Sequence, residues 1–366
     1  MSHFSIGRGR SQSLTSEASE VSSPMLVRSL KPRQRETNIL QPYLSAVENS
    51  SGTVLSEGVP RFFHSWVPTS QSPWAALTLI HGFGDHGGRF VGLGTSLASF
   101  GIAVQAIDLV GHGRSPGRRG CIDSYQQLLD DVCAGLDHTK GNFPRLPQFA
   151  FGHSMGGNLI LNLALRRPAE ILGMKGLIVT SPMLRAGTMP KERIMDAGRW
   201  LAMKLPNWRI KTPIVVSKLS QDRRAQDAYL RDRWVHHNMS LRLAANLVDS
   251  GLWAIENSHL LNSRTLLMHG SEDSLTCAQA TKEFAETSNG FSTFKLWNGC
   301  RHDLHDDLQR ERVFDYMTHW MKQQCITSYK IMRPNMVEAT REITTGANFG
   351  SCITTLDFFP DDVLQS

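Results

Sequence analysis

The stretch Gln148-Phe149-Ala150-Phe151-Gly152-His153-Ser154-Met155-Gly156-Gly157 decides the fold, because it joins a short apolar run to a helical pattern through a serine flanked by glycines. The run QFAF reads as a strand, and Met155 to Arg166 has the spacing of a helix. A strand-to-helix turn sharp enough to push one side chain out above a sheet crowds its own backbone. Glycine is therefore demanded two residues before and two residues after the exposed one. Gly152 and Gly156 stand at those places around Ser154. The same turn sets Ser154 at a helix N-terminus, where unpaired amides and the helix dipole favour a developing negative charge. Chance matches to G-x-S-x-G occur, so the motif gains its weight from its surroundings.

On either side of this turn, over residues 58 to 325, short apolar runs alternate with longer helical patterns, as in βαβ units. The runs are Ala75 to Ile80, Ile102 to Ile107, Gln148 to Phe151, Leu177 to Thr180, Thr265 to Met268 and Thr293 to Trp297, with an earlier strand at Arg61 to Val67. Several are almost continuously apolar, as parallel strands buried on both faces are. Helical patterns lie at Phe90 to Phe100, Ser124 to His138, Met155 to Arg166, Ala278 to Thr287 and Leu308 to Gln324. The expected fold class is α/β, with a mostly parallel, doubly wound sheet.

About 80 residues, 183 to 262, separate the fourth of these six runs from the fifth, which is too long for a loop and reads as an insertion. Its segment RIMDAGRWLAMKL sets Ile194, Ala197, Leu201 and Leu205 near helical spacing, beside Met195, Trp200 and Met203. Ordinary packing on the body is one reading of that stripe. The other is a helical cap over the carboxyl ends of the strands, where open α/β sheets bind ligands.

With 40% hydrophobic and 20% charged residues in 366, the chain is neither disordered, collagenous nor fibrous. No run approaches 18 apolar residues and the first 30 lack an apolar signal core, so a cytoplasmic protein is expected. The six cysteines are scattered, without the spacing of a disulfide framework or a zinc site. Net charge is +6, and the insertion accounts for all of it with 13 basic against 7 acidic residues. That concentration suits a solvated helical face or attraction to an anionic membrane, and nucleic acid is not expected as a partner. Residues 1 to 55, rich in Ser, Arg and Gln, read as a disordered extension, and 326 to 366 as a tail of undefined structure.

A serine hydroxyl is a weak nucleophile at neutral pH, so it needs a base, and the base needs a group that holds its tautomer. Asp273 lies in HGSED just past one strand and His302 in RHDLH just past the next, both at carboxyl ends. Glu272 and His305 are their rivals; His302 is preferred because it follows its strand sooner, in the loop. Asp303, Asp306 and Asp307 surround these histidines, but no ligand set such as H-E-x-x-H accompanies them, so no metal is expected. The loop His81-Gly82-Phe83-Gly84-Asp85-His86-Gly87 follows the strand AALTLI and also spells G-x-G-x-x-G through Gly82, Gly84 and Gly87. Asp108, 24 residues past Gly84, completes a literal dinucleotide fingerprint. An NAD(P)-binding oxidoreductase is thus the reading from another class. It leaves Ser154, Asp273 and His302 as coincidence and expects the fingerprint on the first central strand.

With HGFGDHGGRF, DLVGHGRSPGRRG, GHSMGG, the acid of HGSED and the base of RHDLH in this order, the chain resembles the monoglyceride lipase and lysophospholipase group of α/β-hydrolases across about residues 58 to 325, an S33-type hydrolase domain. The resemblance implies an α/β-hydrolase fold with its cap inserted between two late strands. It implies Ser154 as nucleophile, Asp273 as orienting acid, His302 as base, and the amides of Phe83 and Met155 as oxyanion donors. Monoacylglycerol would be the substrate, lysophospholipid the alternative, with no cofactor and with peripheral membrane contact through the cap around Trp200, Met195 and Met203. A non-catalytic acyl-binding protein on the same fold is a further alternative. The bulk of Phe83 departs from the small residue usual at that place and bears on the size of the acyl group accepted.

Overall fold

The computed structural model describes residues 46–332. Most of the expected extension, 1–45, and the tail beyond 332 lie outside the described residues. The strands of the main sheet are β1 (Val47–Ser56), β2 (Val59–Pro68), β3 (Ala75–Ile80), β4 (Ile102–Ile107), β5 (Gln148–His153), β6 (Gly176–Thr180), β9 (Thr265–Gly270) and β10 (Ser292–Trp297). Their spatial order is β1-β2-β4-β3-β5-β6-β9-β10. β2 runs antiparallel to both β1 and β4, and every other pairing is parallel. All residues of β3, β4, β6 and β9 are buried, which explains their unbroken apolar runs.

Helices cover both faces. α1 (Val91–Ser99) and α8 (Arg310–Met332) bury Leu93, Leu97, Phe314 and Met317 on one side. On the other, α2 (Tyr125–Asn142), α3 (Met155–Arg166) and α7 (Ala278–Thr287) contribute Leu128, Val132, Leu159, Leu163 and Phe284.

Several boundaries differ from expectation, among them the end of α2, which runs on from the expected His138 to Asn142. β1 occupies residues assigned to the disordered extension: VENSSGTVLS is an edge strand, largely exposed, and so has no apolar period to announce it. It is joined to β2 through Glu57 and Gly58, both at positive φ (47° and 75°), the two-residue turn whose twist suits a hairpin. α8 runs on past residue 325 to Met332, where a tail was expected. The helix expected from Phe90 begins at Val91, after a 3₁₀ turn over Gly87–Phe90.

The insertion between β6 and β9 contains α4 (Glu192–Lys204), β7 (Arg209–Lys211), α5 (Arg223–Arg231), β8 (Asn238–Ser240) paired to β7, and α6 (Leu241–Glu256). α6 belongs to the body core through Leu243, Leu247 and Ala254. It is stitched to the elbow helix by the buried Asn158 amide, which donates to Met183 O at 2.7 Å and accepts from Ser250 Oγ at 3.0 Å. α4 behaves otherwise. Ala202 is its one buried residue, and Ile194, Ala197, Leu201 and Leu205, the stripe that would pack on the body, are all exposed.

Candidate active site

Ser154 has φ 53° and ψ −112°, a strained conformation for a residue with a side chain. The glycines around it allow this. A Cβ on Gly152 would sit 2.5 Å from Gly156 O, and one on Gly156 2.2 Å from Ile80 O. The turn is pinned by Ser154 N donating to Thr180 O at 3.0 Å on the neighbouring strand. A Cβ on Gly82 would lie 3.3 Å from that of Ser154, so the glycine loop after β3 passes directly beside the elbow. Phe83 and Met155 line the same cavity as Ser154 and His302.

His302 Nδ1 stands 2.7 Å from Asp273 Oδ2. Asp273 is gripped from all sides: its Oδ1 accepts from the amides of Leu275 (2.8 Å) and Thr276 (3.1 Å), and its Oδ2 accepts from Thr276 Oγ1 (2.8 Å) and lies 3.0 Å from His269 Nε2. Burial alone would push its carboxyl pKa up. The facing rings of His302 and His269 outweigh that and hold it well below the usual carboxylate range. At His302 burial opposes the imidazolium, yet Asp273 and then Asp303 hold its pKa above 6.5. The roles of His269 and Thr276 went unnoticed in the sequence, although His269 sits four residues before Asp273 on the end of β9. The rivals have other surroundings. Glu272 is half exposed, 3.9 Å from Arg301 Nε. His305 is buried against Phe90, its ring stacked at 4.2 Å, with neither nitrogen hydrogen-bonded among the described residues.

Above these residues lies a cavity of about 390 Å³. Its lining includes the apolar Met183, Ile214, Met239, Leu247 and Val248 and the polar Asp85, Tyr229 and Asp303. The Tyr229 hydroxyl is buried without a hydrogen-bond partner among the described residues. Behind it, Arg89 bridges Asp85 and Asp306, each at 3.1 Å, and lies 4.8 Å over the Tyr229 ring. A second, mostly apolar cavity of about 230 Å³ shares Ala244 and Val248 with the first and lies between α4, which contributes Ile194, Met195, Gly198 and Arg199, and α6. Met195, expected with Trp200 and Met203 on an outer face, is therefore turned partly inward.

Asp108, the acid of the apparent dinucleotide fingerprint, is fully buried. Its carboxylate accepts from Gly87 N at 2.7 Å and Arg114 N at 2.8 Å, so it braces two loops and faces no ribose site. The stretch Gly111 to Ser115 is part of the same brace: Ser115 Oγ accepts from Phe62 N at 2.8 Å.

Sheet order, elbow and cap together define an α/β-hydrolase, and its serine-centred site makes the protein a serine hydrolase. A family model described as serine aminopeptidase, S33, matches residues 71–309, and the chain belongs to that family. It is 30% identical over 262 residues to an uncharacterized abhydrolase domain-containing protein of Dictyostelium discoideum, a match covering 71% of this chain but 27% of that longer protein. It is 28% identical over 302 residues to the human monoglyceride lipase, covering 81% of this chain and 96% of that one. Among solved structures, a soluble variant of the Saccharomyces cerevisiae monoglyceride lipase in complex with a substrate analogue superposes with a TM-score of 0.68 at 22% identity, over 75% of this chain and 94% of that chain.

Proposed function

We propose that the protein is a carboxylic-ester hydrolase that cleaves monoacylglycerol to fatty acid and glycerol through an acyl-enzyme on Ser154. The observation that carries this reading is the cavity that Ser154 and His302 line together with an apolar set, from Met183 to Val248, and the polar Asp85, Tyr229 and Asp303. An acyl chain belongs against the first, and glycerol hydroxyls suit the polar side chains of the second. The human relative bearing the monoglyceride lipase name aligns across nearly its whole length, which supports the same substrate.

In this mechanism His302 Nδ1–H donates to Asp273, which leaves Nε2 free to take the Ser154 proton as the hydroxyl oxygen attacks the ester carbonyl. The amides of Phe83 and Met155 stabilise the oxyanion, His302 returns its proton to the departing glycerol oxygen, and an acyl-serine remains. Water, deprotonated by the same His302, then releases the fatty acid and restores Ser154. Asp273, held ionised, stabilises the imidazolium in both halves.

Peripheral membrane contact through the cap is part of the proposal. Among the described residues no helix is long and apolar enough to cross a membrane. Yet Ile194 (61% exposed), Trp200 (57%), Met203 (72%) and Trp208 (59%) present apolar surface on and just after α4, beside Lys191, Arg193, Lys204 and Lys211. Such a face would bring the cavity to substrate held in a lipid surface.

The test is a panel of monoacylglycerol, lysophosphatidylcholine, triacylglycerol and a short p-nitrophenyl ester, each with the parent protein and Ser154→Ala. Best cleavage of monoacylglycerol, abolished in the variant, is the expected result. Preference for lysophosphatidylcholine would keep Ser154 as nucleophile and overturn the substrate. Cleavage of no ester by the parent protein would overturn the reading as a whole and favour acyl binding without catalysis.

A further inference from the structure

We propose that His64, His86 and Asp108 form a binding site for a divalent transition-metal ion of the zinc type, beside the glycine loop and distinct from the Ser154 site. The three come from β2, from the loop after β3 and from the end of β4, and a potential ligand atom of each lies within 4.8 Å of the others. Their spacing in sequence carries no metal motif, which is why no reading of local patterns finds them.

The chemistry of His86 carries the inference. Its Nε2 lies 2.9 Å from Asp232 Oδ2. A carboxylate accepts, so Nε2 bears a proton, and in the neutral ring Nδ1 is left with a lone pair. That Nδ1 has no hydrogen-bond partner among the described residues, and the residue is only 6% exposed. A buried lone pair that accepts nothing is costly unless an electrophile meets it. Nε2 of His64 likewise has no hydrogen-bond partner there, and it stands 3.4 Å from Asp108 Oδ1.

Glycine backbone lies against both rings, where any side chain would clash. A Cβ on Gly88 would lie 2.9 Å from His64 Cε1 and 3.0 Å from His86 Nδ1; one on Gly87 would lie 2.9 Å from His64 Cδ2 and 3.2 Å from Asp108 Oδ1. Tetrahedral zinc with bonds of about 2.0–2.2 Å sets neighbouring ligand atoms about 3.3–3.5 Å apart. The His64–Asp108 separation already has that value, and a potential ligand atom of His86 lies within 4.8 Å of both. Two imidazoles and a carboxylate are a donor set suited to zinc. The outer contacts suit it as well. Asp232 orients His86 as carboxylates orient metal-bound histidines, and the amides of Gly87 and Arg114 fix Asp108. Because Asp232 lies just past α5 and His86 in the glycine loop, a bound ion would tie the cap to the loop that carries Phe83.

The full-length protein, stripped with a chelator, is titrated with Zn²⁺ by calorimetry, and Co²⁺ is added separately to read the visible absorption of a tetrahedral site. One ion per chain, a raised Tm and a tetrahedral Co²⁺ spectrum are expected. His64→Ala is expected to abolish them, Asp232→Asn to weaken binding about 10- to 100-fold, and His302→Ala to leave them in place. Circular dichroism of each variant establishes folding, and Asp232→Asn keeps the test valid should His64→Ala not fold. Absence of binding by the parent chain overturns the proposal. So does binding that survives both His64→Ala and Asp232→Asn, or binding lost in His302→Ala, which would put the ion at His153, His302 and Asp303.

Discussion

β3, β4 and β9 bury every residue they contain, whereas α4, the first helix of the insertion, buries one residue of 13 although it is as apolar in pattern as many core helices. In the sheet the apolar residues are used by the chain itself. On α4 the stripe of Ile194, Leu201 and Leu205 is left to solvent, and Met203 stands out on another side. The difference separates two tasks. The sheet holds the strained Ser154 and the buried Asp273–His302 pair in place, which needs close packing on every side. On α4, Ile194, Trp200 and Met203 stay exposed, while Arg199 ties the helix to α6 through Asp249 at 2.8 Å.

Substitutions at the sheet's site should have the largest effects. Ser154→Ala is expected to lower kcat by about 10⁶-fold, and Asp273→Asn by about 10⁴-fold, with folding intact by circular dichroism. The pH profile sharpens the assignment. His302 must be neutral to act as base, so kcat/KM should fall as pH falls through a pKa that Asp273 holds above 6.5. In Asp273→Asn burial is left to dominate, and the inflection should move down. A profile that does not shift would remove Asp273 from the orienting role.

Two effects on stability come next. Gly156→Ala drives a methyl group to 2.2 Å from Ile80 O, where neither backbone has room to yield. A loss of about 3 kcal/mol or more is expected by urea denaturation, with loss of activity. His305 is pushed down to about 4, first by burial. Above pH 6.5 the ring is neutral in both states and pH has no hold on it. Between 6.5 and about 4 only the unfolded chain takes the proton, so stability falls with acidification, by up to about 3 kcal/mol. His305→Phe, which keeps the stacking on Phe90, should flatten the decline between pH 6.5 and 4.5. An unchanged slope would show that other groups govern acid unfolding.

The same contrast explains what the sequence made legible. The spans of β3, β4, α3 and α7 were readable to the residue, because burial on a fixed period leaves a pattern that nothing else imitates. Ser154 was readable because its geometry forces glycine at 152 and 156. β1 was not, because an edge strand of polar residues is held by backbone hydrogen bonds, which every residue can make. The grip of Thr276 and His269 on Asp273 depends on how a loop folds back, and the meeting of His64, His86 and Asp108 depends on three separate elements, so neither leaves a spacing. On α4 the period was legible and its direction was not. Apolar spacing tells that a stripe exists, not whether protein or lipid covers it.

The smallest expected effects lie on that stripe, and they separate its two sides. Gly198 lines the second cavity, and a Cβ there meets no atom within 4 Å, so Gly198→Leu would fill space without a clash and improve helix propensity. If long acyl chains extend past Ala244 and Val248 into this cavity, the variant should lose activity several-fold on the longest chains of a monoacylglycerol series while short chains are cleaved as before. A uniform change across the series would assign the cavity no part in chain length. Trp200→Glu acts on the outer side. The indole is 57% exposed, so the substitution should alter stability by no more than about 0.5 kcal/mol. It should leave the rate on a short soluble ester unchanged while reducing co-sedimentation with anionic liposomes and the rate on vesicle-borne substrate. Equal co-sedimentation of variant and parent would mean that the stripe meets something other than lipid, because a carboxylate cannot enter the interface at so little cost.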